Sequence, residues 1–306
     1  MRKVQFGKGG LQHPAIVVGG MRLNKLSKEE MNHFIHFALE QGAYYFDYAD
    51  IYGGGACEEL FGNAVQGDSS IRRSDLFIQS KCGIRQGCYD LSKDHIMASV
   101  DGILSRMKVD YLDMLLLHRP DALYDPSEIA EAFYFLEKTG KVKNFGVSNF
   151  NPAQIELLKK DIRQPLLVNQ LQFSIPVSNM VAQGMEVNMD TPGSVNHDGS
   201  VLDYCRLNDL KVQAWSPFQM PNWKGCFIGS EEYGPLNEKM NELAEKYGVS
   251  PTAIATAWIV KHPAKMQVVT GTANESRLSE IIKGSEIDLA REEWYALYLA
   301  AGHPLP

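Results

Sequence analysis

Short apolar runs alternate with longer stretches of helical periodicity along most of the chain. The strand candidates are AIVVGG (15–20), AYYFDY (43–48), LFIQSK (76–81), LDMLLLH (112–118), KNFGVS (143–148), LLVNQL (166–171), KVQAWS (211–216) and MQVVTG (266–271). Between them lie helix candidates with start signals of their own. Ser27 is placed to cap KEEMNHFIHFALEQG, with Glu29 and Glu30 at the positive end of the dipole and Gly42 at the stop. Asp94 precedes HIMASVDGILSRM and is the expected cap there. Asn151-Pro152 and Ser250-Pro251 open two further helices with proline at the first helical position.

Strands that each precede a helix predict an all-parallel sheet, because parallel neighbours need a helical crossover. At this length, with no Pro/Gly/Ser-rich linker, the expectation is one domain over 1–306: a closed (β/α)8 TIM barrel. The segment VQFGKGGLQHP (4–14) reads as a short hairpin, and a further helix is expected at the C-terminus. A doubly wound sheet is second choice, since GGMRLNK after the first strand lacks the GxGxxG turn that fold uses. The polar stretch from Asn179 to Ser200 reads as a long loop that could shape a pocket, and Trp223, Phe227 and Tyr233 could line that pocket or pack their own loop.

Composition narrows the partners. A net charge of −7 argues against a nucleic-acid surface, which carries a basic excess. Five scattered cysteines without a CxxC pair read as reduced thiols rather than a zinc site. MRKVQFGKGG has no apolar core of a secretory signal, and no apolar run approaches the ~20 residues that span a bilayer. The expectation is a cytoplasmic protein with no membrane partner, no nucleic-acid partner and no metal.

In such a barrel the C-terminal strand ends converge on one mouth. Asp47, Lys81 and His118 fall at that end of the second, third and fourth strand candidates, and Tyr52 follows in ADIYGG. Singly, each has a bland reading: a turn cap, a solvated lysine, a structural histidine, a packed tyrosine. Three ionisable groups among apolar strands together demand a reason. A free tyrosine titrates near pH ~10. A lysine held by an aspartate would favour the phenolate and bring that value down. A histidine beside it could orient a carbonyl oxygen. These groups supply a general acid and an oxyanion site.

GAYYFDYADIYGG, SKCG, LLLHRPD, GVSNF, VNQ and AWSPF, in this order, resemble the aldo-keto reductase family, most closely its bacterial branch of reductases with broad or unknown substrates. The resemblance runs from about Val4 to the last helix. It implies a small-molecule carbonyl substrate, a monomer, and a tetrad of Asp47, Tyr52, Lys81 and His118 with Tyr52 as general acid. Ser148, Asn149 and Gln170 match positions that hydrogen-bond the nicotinamide carboxamide, and Trp215 the aromatic residue stacked on its ring. Ser216, Pro217 and Phe218 match the loop beside the pyrophosphate. Gly20, Met21 and Arg22 match the segment at the nicotinamide ribose. Thr272 and Arg277 match contacts to a ribose 2′-phosphate, and Glu280 an adenine contact, around the start of a helix that favours anions. Gly271 stands where many members carry a phosphate-binding lysine, and Ile281 where an asparagine is common. The implied cofactor is NADPH, with NADH also possible. A nicotinamide-binding sensor or scaffold without turnover is the first alternative. A metal-dependent barrel hydrolase is the second; it would need a His-x-His or comparable ligand cluster, which this sequence lacks.

Overall fold

Each apolar run becomes a strand in a computed structural model of the chain, which describes residues 1–7, 10 and 12–305. The strands are β1 (Ile16–Gly19), β2 (Tyr45–Asp47), β3 (Phe77–Cys82), β4 (Met114–Leu117), β5 (Phe145–Ser148), β6 (Leu166–Gln172), β7 (Lys211–Trp215) and β8 (Gln267–Thr270). They close in chain order into an eight-stranded barrel. β1, β2, β4, β5 and β8 are buried at every position, so the two-residue alternation of a half-exposed sheet is absent. The physical reason is that helical crossovers cover the outer face while side chains fill the inside.

Register positions the chemistry. Along the β2–β3 ladder Asp47 lies opposite Gln79. Along β3–β4 Lys81 lies opposite Leu116 and Cys82 opposite Leu117, one residue before His118. Asp47, Lys81 and His118 therefore reach the same end of three neighbouring strands.

The chain divides into two compact units, 17–170 with 271–275, and 1–16 with 171–270 and 276–306. In the first, successive helices pack on one another: α1 (Lys28–Glu40), α2 (Ala56–Gln66), α3 (Lys93–Met107) and α4 (Pro126–Lys138). Ser27 caps α1 in a capping box, its hydroxyl accepting from Glu30 N at 3.1 Å while the Glu30 carboxylate accepts from Ser27 N at 2.7 Å. In the second unit, the helix Pro251–Lys261 meets the helix Arg291–Ala300, the expected extra C-terminal helix. The rings of Trp258 and Trp294 stack with centroids 4.7 Å apart, and each indole N–H donates to the other's backbone oxygen, at 3.1 and 2.9 Å.

Two expectations are corrected. α3 begins at Lys93 with Ser92 as its cap, the Ser92 hydroxyl accepting from His95 N. Asp94 lies inside the first turn, where its charge still faces the positive dipole end. The stretch from Asn179 to Ser200 is not all loop. It holds the helix Asn179–Met185, whose Met180, Val181 and Ala182 are buried, and a single turn at Pro192–Ser194. That helix is too short for its apolar residues to show a period. The hairpin arms Lys3–Gln5 and Gln12–Pro14 pair antiparallel, while its Lys8, Gly9 and Leu11 lie outside the described residues. No helix among the described residues is long and apolar enough to cross a membrane.

Candidate active site

The first unit holds a buried ion pair. Lys81 is fully buried and Asp47 is 2% exposed, and taking both charges out of water is costly unless each finds close partners. They do. The Lys81 ammonium donates to both Asp47 oxygens at 2.7 Å and to the Tyr48 carbonyl at 2.8 Å. Asp47 Oδ1 also accepts from Gln79 Nε2 at 2.5 Å and from Gln170 Nε2 at 3.2 Å. Burial pulls the Lys81 pKa down, but Asp47 and Tyr52 lift it, and the sum lies above the ordinary lysine value.

Tyr52 opens a tight turn after β2, where Gly53 and Gly54 adopt left-handed φ of 59° and 63° that send the chain into α2. Its hydroxyl lies 3.4 Å from Lys81 Nζ, and the ammonium stands 5.1 Å from its ring centroid. The expectation that Lys81 brings the Tyr52 pKa down needs correcting. Burial raises it, Lys81 opposes, Asp47 raises it further, and the net value stays above the ordinary one. Desolvation of the phenolate outweighs one cation whose charge is already shared with a carboxylate. The His118 ring stands edge-on to Tyr52, with centroids 6.0 Å apart at 81°. Burial, with the Lys81 and Arg119 cations, depresses the His118 pKa to about 2, so the imidazole is neutral across the working pH range. Its Nδ1 is buried with no hydrogen-bond partner among the described residues.

The same unit holds eight more of the expected residues. Ser148 Oγ donates to the Gln170 carbonyl at 2.9 Å, Asn149 Nδ2 donates to Ser148 Oγ at 2.8 Å, and Asn149 N donates to the Gln170 carbonyl at 3.0 Å. Asn149 adopts a left-handed φ of 62°, which turns its amide out of the β5 line. Gly20 N donates to the Asp47 carbonyl at 2.8 Å, and a Cβ at Gly20 would meet the Tyr48 ring at 2.1 Å. Met21 and Arg22 are exposed beside it. Thr272 is buried and its hydroxyl accepts from Asn274 N at 3.1 Å, while a Cβ at Gly271 would find open space.

The remaining residues belong to the second unit. Trp215 is half-buried at the end of β7, and Ser216 follows with a left-handed φ of 52° before Pro217 and Phe218. The Trp215 ring stacks on Trp223 with centroids 5.4 Å apart at 18°, while Trp223 remains 64% exposed. Phe227 is fully buried and meets Tyr233 edge-on, so it packs its own loop. Arg277 is exposed on the first turn of the helix Glu275–Gly284. Glu280 accepts from Ser250 N at 3.2 Å and pairs with Lys283 at 2.8 Å, a structural use of that carboxylate. Ile281 is fully buried.

Gln79 and Tyr45 escaped the sequence reading. Tyr45 and Asp47, like Gln79 and Lys81, stand two positions apart and so face the same side of their strands. That spacing was the available signal. Among the described residues no group of three or more His, Cys, Asp or Glu is placed to hold a metal ion.

This strand-end set on a closed barrel defines a class, and comparison with known proteins agrees with it. The model of the Aldo/keto reductase family matches residues 15–298. The chain belongs to that family and is by class an NAD(P)H-dependent carbonyl oxidoreductase. It is 32% identical to the uncharacterized oxidoreductase YcsN of Bacillus subtilis (strain 168), over all of both chains. It is also 32% identical to a 6-dehydroglucose reductase of Agrobacterium fabrum, over 87% of this chain and 86% of the other. Among solved structures it resembles the thermostable aldo-keto reductase Tm1743 in complex with the inhibitor epalrestat, at TM-score 0.76 and 26% identity, covering 98% of this chain and 100% of that one.

Proposed function

We propose that the chain reduces an aldehyde or ketone to an alcohol, using NADPH by preference with NADH as a possible substitute, as a cytoplasmic monomer working as one domain over 1–306. The observation that carries this is the buried Lys81 ammonium, which binds the Asp47 carboxylate and reaches the Tyr52 hydroxyl. An ammonium can only donate, so the Tyr52 oxygen accepts from it and the Tyr52 O–H remains to donate outward. A nicotinamide held by Ser148, Asn149 and Gln170 would supply the hydride for the carbonyl carbon. Tyr52 gives its proton to the carbonyl oxygen, completing the alcohol, and the phenolate left beside Lys81 recovers a proton from solvent. Neutral His118 offers an N–H to the same oxygen and holds it in line.

The cofactor readings rest on chemistry of the same kind. A primary carboxamide needs both donors and acceptors, and the Ser148, Asn149 and Gln170 cluster provides hydroxyl and amide groups of both sorts. Thr272 and Arg277 suit a ribose 2′-phosphate, the guanidinium as a planar cation and the hydroxyl as a donor. The name of the Agrobacterium relative supports adding 6-dehydroglucose to a panel of aldehydes and ketones.

The test follows NADPH oxidation with that panel. Tyr52→Phe should lower turnover by about 100-fold or more, the usual range for loss of a general acid, while cofactor affinity stays the same. Undiminished turnover in that variant would rule the proton-donor reading out.

A further inference from the structure

Asp47 is served by more than Lys81. Gln79 is fully buried directly across the β2–β3 ladder from Asp47, and its amide N–H donates to Asp47 Oδ1 at 2.5 Å. Its amide oxygen accepts from the fully buried Tyr45 hydroxyl at 2.7 Å. The amide's direction is dictated by its neighbours. A carboxylate can only accept, so the NH2 end must face Asp47, and the oxygen is then left for a hydroxyl that can donate. The result is a one-way chain from Tyr45 through Gln79 to Asp47, running into the charge that neutralises Lys81.

We propose that Tyr45 and Gln79 are positioning residues of the reaction: their hydrogen-bond chain fixes the Asp47 carboxylate and draws down its negative charge, so that more of the Lys81 cation's field reaches Tyr52. This rests on the reading of Tyr52 as proton donor. A carboxylate that receives an extra N–H spreads its charge toward that donor, and chained donors polarise one another. Asp47 opposes ionisation of Tyr52 while Lys81 favours it, so whatever tempers Asp47 shifts the balance toward phenolate. The groups facing the Asp47 carboxylate are Lys81 and Gln79 from β3 and Gln170 from β6, with Tyr48 and Tyr52 following it in sequence. His118 faces the Lys81 charge from the end of β4.

A second pair of buried glutamines marks the contrast. Gln213 Nε2 donates to Gln267 Oε1 at 2.9 Å, and Gln267 Nε2 donates to the Pro14 carbonyl at 2.7 Å. In these bonds that pair ends on a neutral backbone oxygen. The Tyr45–Gln79 chain ends on a carboxylate joined to the proton donor's own cation.

The experiment is the pH profile of kcat for alcohol oxidation with NADP⁺. In that direction Tyr52 must be phenolate to take the proton, so kcat rises with pH through the Tyr52 titration. Gln79→Leu should move that limb to higher pH by about one unit, the scale of one hydrogen bond to a charged group. Tyr45→Phe, which removes a single oxygen, should move it the same way by about half as much. Cofactor affinity should stay at the wild-type value in both. A limb unmoved in Tyr45→Phe overturns the proposal, and so does a Gln79→Leu variant that loses stability alone. Tyr52→Phe in the same assay keeps the two readings apart. If it abolishes turnover while the limb stays fixed in the Tyr45 and Gln79 variants, only the positioning role falls; if it leaves turnover intact, the proton-donor reading falls and this one with it.

Discussion

Lys81 shows how much a single side chain depends on its surroundings. In the strand LFIQSK it is marked only as an ionisable residue at a strand end, yet in the barrel its ammonium gathers a carboxylate, a backbone carbonyl and the Tyr52 hydroxyl within 3.4 Å. The proposed cofactor end has fewer such constraints, and there a single residue can be added. A Cβ at Gly271 meets no atom within 4 Å, and its backbone is outside the left-handed region. Gly271→Lys should therefore fold normally and tighten NADPH over NADH by about tenfold, one charge-assisted contact to phosphate. Arg277→Ala should weaken NADPH selectively by a similar factor. Titration of both cofactors by tryptophan fluorescence checks each. Equal affinities for NADPH and NADH in the parent, unchanged by either substitution, would remove the preference. Asp47, Lys81 and His118 were legible because their ionisable groups stand at strand ends among apolar runs. Gln79 and Tyr45 were not, because a glutamine and a tyrosine carry no charge to mark them.

Among elements, caps were readable wherever the capping residue directly preceded the apolar period. Ser27, Asn151 and Ser250 all accept from the backbone N–H three residues on. Ser92 was missed because Asp94 is an equally good cap by type, and only the extended backbone at Ser92 decides between them. The joint between the helices Pro251–Lys261 and Arg291–Ala300 was beyond sequence altogether. Trp258 and Trp294 are 36 residues apart, and their crossed N–H···O bonds exist only once the helices meet. Trp258→Phe keeps a buried ring but leaves the Trp294 carbonyl without that donor. It should cost about 1–3 kcal/mol in urea unfolding without changing kcat of the folded enzyme. A loss below the error of the measurement would mean that the stacked rings alone join the two helices.

At the scale of the whole molecule, burial sets the response to pH. His118 and His262 have pKa values depressed to about 2 and about 4, each by burial first and a neighbouring cation second. In the unfolded chain a histidine takes up a proton below pH ~6.5. The unfolded state then binds more protons than the native one, and stability falls as pH drops from about 6.5 toward the folded values. Asp50 acts in the opposite sense. Burial and Glu58 raise its pKa to about 6, so the native state binds the extra proton and stability falls as pH rises from about 4 to 6. The histidines dominate from pH 7 to 5, and His118→Gln should flatten the loss of Tm over that range. Parallel Tm–pH curves for variant and parent would show that His118 is not held neutral. The amino-acid order by itself determined the eight strands, their sequence around the barrel, the family and the three strand-end residues with Tyr52 in the turn after the second, because periodicity and residue type are local properties. Only the tertiary structure decided that burial outweighs Lys81 at Tyr52, that Glu280 pairs with Lys283 and Ser250, and that an uncharged chain from Tyr45 ends on Asp47. Those outcomes depend on desolvation and on distances between residues far apart in sequence, which no local pattern carries.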